Sequence, residues 1–231
     1  MISNKEFKKN IQQLEQQERY QFQAELIPSW FEKAVVLILF WEEAGTIKVV
    51  LTERSTKLKT HTGEVSFPGG RMEQGESLMQ TALREANEEI GIDRQKVNMI
   101  GRLDDAWSGA AYHLAALVGW YDDIPNFTAN TDEVGKILIP DIDELYDENN
   151  RRERIVERHG LVFKSTSIKY QDSLIFGLTA DLLCEALEQG LGTNTERGSQ
   201  RAENLQNALN SQFFAYQKSN GNRPPQSDLV K

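Results

Sequence analysis

Cysteine is almost absent. Cys184 is the only one in 231 residues, so no disulfide can form within the chain and a reducing compartment is expected. It lies in an apolar helical pattern and reads as a buried core thiol. Basic charge is also short: 26 Lys and Arg stand against 35 Asp and Glu, a net charge of −9. A general nucleic-acid binder would show a basic face, and this balance argues against one. No apolar run approaches the ~20 residues of a membrane-spanning helix. The first residues are polar and lack the apolar region of a signal peptide. The sequence therefore predicts a cytoplasmic protein that binds neither nucleic acid nor membrane.

What is present suits one domain with extensions. Residues 1–28 are rich in Gln, Glu and Lys, with Phe7, Ile11, Leu14 and Phe22 at loosely helical spacing. They predict a helix packed on the outside of the domain and ended by Pro28. Residues 29–192 form the main domain. Lys33 to Trp41 is a near-continuous apolar run that predicts a strand buried on both faces; Ile47 to Thr52 predicts a second. A short strand is expected around Val65, then strands at Val97–Leu103, Tyr112–Tyr121 and Lys136–Ile139. Asp104 to Ala110 reads as a polar loop. A short helix is expected around Ile142–Tyr146, a charged hairpin over Arg151–Lys169 turning at His159-Gly160, and a helix over Thr179–Leu187. Residues 193–231 form a polar extension, with a helix over Arg201–Tyr216 and a loose tail carrying Pro224-Pro225.

The chain is organised around Gly70–Ile92. Ser77 has the character of an N-cap, with Gln80 placed to close a capping box. Leu78 to Ile90 are good helix formers, and Gly91 sits where a helix stops in a left-handed cap. Leu78, Met79, Ala82, Leu83, Ala86 and Ile90 share one arc of that helix. Glu85, Glu88 and Glu89 share an adjacent arc, since residues three and four apart are neighbours. Such carboxylates repel one another unless a cation sits among them, and magnesium takes oxygen ligands of this kind. A solvated acidic helix face would give the same triplet without any site.

The spacing favours the site. Gly70, Glu76, Arg84, Glu85, Ala86, Glu88, Glu89, Gly91 and Ile92 resemble the Nudix box, G-x5-E-x7-R-E-U-x-E-E-x-G-U, at every specified position. The resemblance implies an α+β fold, a Nudix-type α/β/α sandwich with a mixed β-sheet, over roughly residues 33–190. It implies a phosphoanhydride hydrolase using Mg2+ or Mn2+, with Glu85, Glu88 and Glu89 as metal ligands. Arg84 is expected to orient Glu85, and Glu76 to pair with Arg84 at the helix start. A further carboxylate must accept a proton from the attacking water. Glu133 is the candidate base and Asp132 the second; an ordinary turn acid is the other reading of both.

The stretch before the box adds a second resemblance. Leu51 to Ser55 and Leu58 to Gly70 are similar to the extra motif of the coenzyme A pyrophosphatase branch, L-L-T-x-R-S-x-x-L-R-x-H-x-G-x-V-x-F-P-G-G. Arg54, Ser55, Lys59, His61, Phe67, Gly69 and Gly70 are therefore the expected substrate-binding residues. Lys59 stands where that branch has Arg, and keeps the charge without the two-pronged grip. Ala106 to Ala111 lacks the branch's proline-rich form. His113 and His159 belong to no motif. The implied reaction cuts coenzyme A or a derivative to 3′,5′-ADP and 4′-phosphopantetheine. Two alternatives remain: the same chemistry on another nucleoside diphosphate derivative, such as ADP-ribose, or a Nudix-fold sensor that binds a nucleotide without cutting it. The expected partner is a small coenzyme A-like nucleotide, and a homodimer is compatible with the sequence.

Overall fold

The structure is a computed structural model that describes residues 2–17, 19, 21, 31–57, 63–108, 112–158, 161–193 and 196–210. Its central strand is β1 (Glu32–Glu43), formed by the long apolar run and buried from Ala34 to Trp41 except for half-buried Val36. Consecutive side chains of a strand point to opposite faces, so a run with no polar alternation needs cover on both. β1 pairs antiparallel with β2 (Thr46–Val49) and with β5 (Gly69–Arg71). Its other partner, β8 (Tyr112–Tyr121), runs parallel to it over ten residue pairs. β6 (Val97–Arg102) and the short β7 (Ala106–Ser108) pair antiparallel with β8 and complete this mixed sheet.

On one face, Val35, Leu37, Leu39 and Trp41 pack against Ala82, Ala86 and Ile90 of α2 (Leu78–Ile90). On the other, Ile38 and Phe40 pack with Phe7 and Ile11 of α1 (Asn4–Gln12) and with Leu183, Ala186 and Leu187 of α4 (Gly177–Gly190). Helices on both faces of a mixed sheet make the α+β sandwich that the sequence predicts. Two smaller antiparallel sheets flank it. One has the order β4-β3-β9, from Val65–Ser66, Leu51–Arg54 and Val134–Leu138. The other has the order β10-β11-β12, from Arg151–Arg158, Leu161–Tyr170 and Ser173–Phe176. The short helix α3 (Ile142–Tyr146) and α5 (Arg197–Asn210) complete the elements used below.

Several elements differ from expectation. The N-terminal helix stops at Gln12, continues as one 3-10 turn to Gln16, and is broken by extended Gln17, well before Pro28. Nor does it sit outside the core: Phe7, Ile11 and Leu14 are at most 2% exposed. Phe7 meets Phe40 edge to face at 5.5 Å. Small residues admit it, since a Cβ on Gly190 would overlap the Phe7 ring. The run Ile47–Thr52 divides at Val50 into strands of two sheets. The polar loop after Leu103 contains β7, and β12 has no counterpart in the sequence prediction because four residues give too short a pattern. Phe22 and Pro28, the turn at His159-Gly160, and the C-terminal chain after Asn210 lie outside the described residues.

Candidate active site

The acidic helix starts as its sequence dictates. Ser77 Oγ accepts the Gln80 amide at 3.3 Å, and Gln80 Oε1 accepts the Ser77 amide at 2.8 Å, closing the capping box. Gly91 ends it at φ 67°, its amide donating to the Asn87 carbonyl at 2.9 Å. Two more carbonyls at this end are taken by the following chain: Thr128 donates to Ile90 and Asn130 to Glu89, both at 2.9 Å. These bonds fasten the turn 130–133 to the C-terminal end of α2. Ser55 N donates to the Glu133 carbonyl at 2.8 Å and ties the same turn to the end of β3. Glu133 is thereby carried towards the box from a separate part of the chain.

Arg84 collects the other acids. Its Nε and Nη2 bind Glu76 at 2.7 and 3.0 Å, and its Nη1 reaches Glu85 at 2.9 Å and Glu88 at 3.1 Å. Nη2 also donates to the Arg71 carbonyl at 3.0 Å, linking α2 to β5. The guanidinium holds the Glu76 carboxyl down to about 2, with the Glu73 amide and the Thr81 hydroxyl assisting. Glu85 lies under β5, where Gly70 leaves room for it: a Cβ there would overlap the carboxylate.

Glu89 is the most buried of the cluster, 6% exposed, and accepts the Gly69 amide at 3.2 Å. Burial pushes its carboxyl up to about 8, and the charges of Glu85 and Glu133 add to that, while Arg54 opposes it. Burial also raises Glu85, against the pull of Arg84, with Glu88 and Glu133 contributing. Mutual repulsion among carboxylates held in place by backbone is relieved by a cation, so Glu85, Glu89 and Glu133 fit a hard divalent ion in their chemistry. Among the described residues no three donors stand gathered at ligand distance. Glu88 is turned to Arg84 instead, its side chain half exposed.

The expected substrate residues divide. Arg54 faces this cluster from the end of β3, and its buried Nε has no hydrogen-bond acceptor among the described residues. Gly69 and Gly70 lie on β5 beside Glu89 and Glu85. Ser55 is 4% exposed, and its hydroxyl bonds the Thr131 carbonyl and the Lys57 amide, so it fastens the loop. Phe67 is 2% exposed within the apolar core. Lys59 and His61 lie outside the described residues. Met79, expected on the apolar arc of α2, is 50% exposed, off the buried stripe of Ala82, Ala86 and Ile90. Sequence reasoning missed a pair, buried Asp105 and half-buried His113, whose side chains meet at 2.7 Å. Only the pairing of β7 with β8 brings them together, and no spacing rule announces it.

A profile of the NUDIX domain matches residues 31–158. The chain belongs to the NUDIX family. Nudix hydrolase 22, chloroplastic, of Arabidopsis thaliana is 38% identical over 175 residues, covering 71% of this chain and 58% of that protein. The chain thus spans just over half the length of this relative. A Photorhabdus laumondii protein described as "Uncharacterized Nudix hydrolase NudL" is 34% identical over 157 residues, 68% of this chain and 83% of its own. Among solved structures, a MutT/nudix family protein from Enterococcus faecalis aligns at a TM-score of 0.46 and 17% identity, over 95% of this chain and 86% of that one. The NUDIX match holds the whole acidic cluster and ends with β10, so α1, α4 and α5 lie outside it.

Proposed function

We propose that this NUDIX protein hydrolyses the phosphoanhydride of a nucleoside diphosphate derivative with the aid of a divalent cation, and that coenzyme A or a derivative is its preferred substrate. One observation carries the reading. Two elements far apart in sequence bring the carboxylates of Glu85, Glu89 and Glu133 into one another's field, and Arg54 stands beside them. Carboxyls raised by burial and by one another's charge, gathered from separate parts of the chain, are the kind of cluster that functional sites hold.

Glu85 and Glu89 would hold the cation, with Glu88 joining them by turning from Arg84. Bound magnesium or manganese neutralises diphosphate charge and eases deprotonation of a water. The side chains supply the rest. Arg84 fixes one oxygen of Glu85, which leaves the other outside that bond. Glu133 is the candidate to take the proton of the attacking water, because it approaches the cluster from a turn and not from the helix itself. Arg54 offers a buried, always charged donor to a phosphate oxygen. The backbone of Gly69 and Gly70 lets the chain approach closely where a side chain would obstruct.

The coenzyme A preference rests on the Leu51–Gly70 resemblance. Comparison of kcat/KM for coenzyme A, 3′-dephospho-coenzyme A and ADP-ribose under one metal condition tests it. Coenzyme A should lead. A charged hydrogen bond to phosphate is worth about 1.5–3 kcal/mol, so the dephospho form should fall behind by roughly ten- to a hundredfold. If ADP-ribose leads by roughly tenfold, equivalent to about 1.4 kcal/mol in transition-state binding, the extra motif does not set the substrate.

A further inference from the structure

The C-terminal helix α5 lies outside the NUDIX match, yet it is wired to the β7 end of the sheet that carries the acidic cluster. Arg201 of α5 is 8% exposed. It bonds Asp181 of α4 at 2.7 Å, the fully buried Glu185, and the main-chain carbonyl of Asp104 at 3.3 Å. The two helices and the start of the β7 segment thus share one guanidinium. The fit is close: a Cβ on Gly198 would overlap the Asp104 carboxylate. Arg197, one turn earlier, binds Glu188, Asp181 and Glu153 and seats the helix on α4 and β10.

The fastened segment has a definite place. Trp107 of β7 pairs with His113 of β8, and His113 pairs with Lys33 of β1. Two residues along, on the same face, Ala115 pairs with Val35 and Val35 with Gly70. That face is the one α2 packs on, and Gly70 is where Glu85 sits. The row Lys33–His113–Trp107 extends past the helix: Lys33 is exposed, and His113 and Trp107 are half-buried. Asp105 and Arg102 meet beside it, and Asp105 also meets His113. From β5 to β7 is three strand spacings, about 14 Å. The row therefore offers an indole, an imidazole and a cation at the distance an extended nucleoside diphosphate reaches from its phosphates.

We propose that Asp104–Ser108 forms the wall against which the nucleoside half of the substrate lies, and that Arg201 is a positioning residue for that wall. The inference rests on the nucleotide reading above. It adds the element that reads the nucleoside and gives a purpose to the helix beyond the family region. A nucleobase stacked on Trp107 would be the recognised group, since base–aromatic stacking needs only the face of the ring.

The experiment uses the full chain and AMP, by calorimetry, together with KM and kcat for the best diphosphate substrate. Arg201→Lys keeps a positive charge for Glu185 but cannot span Asp181, Glu185 and the Asp104 carbonyl together. Its KM should rise roughly tenfold at nearly constant kcat, which marks lost binding and not lost chemistry. AMP affinity should fall by a similar factor while the melt stays cooperative. Trp107→Ala, which changes no charge, should weaken AMP by roughly tenfold or more. It decides the matter if Arg201→Lys does not fold. A lowered melting temperature with unchanged KM and AMP affinity would reduce Arg201 to a structural tie and overturn the proposal; so would an AMP affinity indifferent to Trp107. A wild type that cuts diphosphates but does not bind AMP overturns the wall and leaves the hydrolase reading standing. AMP binding that depends on Arg201 in a protein that cuts nothing does the reverse.

Discussion

Gly70 and Glu85 face each other so closely that a side chain on the strand there would take the place of the carboxylate: a Cβ on Gly70 would overlap the Glu85 carboxylate. The carboxylate is the far end of a flexible chain, so Gly70→Ala should fold and displace Glu85 from its bond to Arg84. Activity should fall by roughly a hundredfold, the scale for losing one charge-stabilising group, with little change in melting temperature. Turnover like that of the wild type would mean that Glu85 works from another position.

Glu85→Gln tests the same carboxylate by chemistry. The amide keeps size and helix propensity and removes the charge. Loss of roughly 10²-fold or more in kcat is expected, with the far-ultraviolet circular dichroism spectrum unchanged. Isothermal calorimetry should also record weaker magnesium binding, a readout that does not depend on turnover. Undiminished magnesium affinity would remove Glu85 from the ligands.

The buried Glu89 gives a pH signature. Its carboxyl is raised from 4.5 to about 8 in the folded protein. The folded chain therefore holds a proton that the unfolded chain has released, across the window from about pH 4.5 to about 8. The stability linked to that proton is fully present below the window and is lost as pH rises through it. With metal chelated, wild-type melting temperature should decline from pH 5 to pH 8 relative to Glu89→Gln, and added magnesium should help wild type more at pH 8 than at pH 5. Parallel pH profiles for the two proteins would contradict the placement of Glu89 in a charged cluster.

The N-terminal helix is part of the core. Phe7 is 1% exposed and packs on Phe40 and on the surface left by Gly190. Phe7→Ala should destabilise the protein by about 3–5 kcal/mol, the range for a large buried side chain, as read from urea unfolding. A cost near that of a surface change would detach α1 from the fold.

The parts written locally were legible. The Ser77–Gln80 capping box, the Gly91 stop and the two-sided burial of β1 all follow from neighbouring residues, and the structure has each of them. What depends on distant pairing was not. The approach of Glu133 needs the 128–130 chain to cap α2 and Ser55 to hold the turn. Phe67 and Ser55 read as substrate residues from motif position, yet burial of one and the fastening role of the other emerge only when β3 and β4 meet the core. The Asp105–His113 pair required β7, a three-residue strand in a polar stretch with no periodic signal. The N-terminal helix looked peripheral because its three apolar residues sit among charges, and the small residues that admit it lie far along the chain.

The central claim is cation-dependent cleavage of a diphosphate at the Glu85–Glu89–Glu133 cluster. Mass analysis of the products from a panel of coenzyme A, ADP-ribose and a dinucleotide, run with magnesium, with manganese and after exhaustive chelation, tests it most directly. The account predicts 3′,5′-ADP and 4′-phosphopantetheine from coenzyme A with either metal, and no products from the chelated protein. Full turnover after chelation, or no cleavage of any member of the panel with metal present, would contradict it.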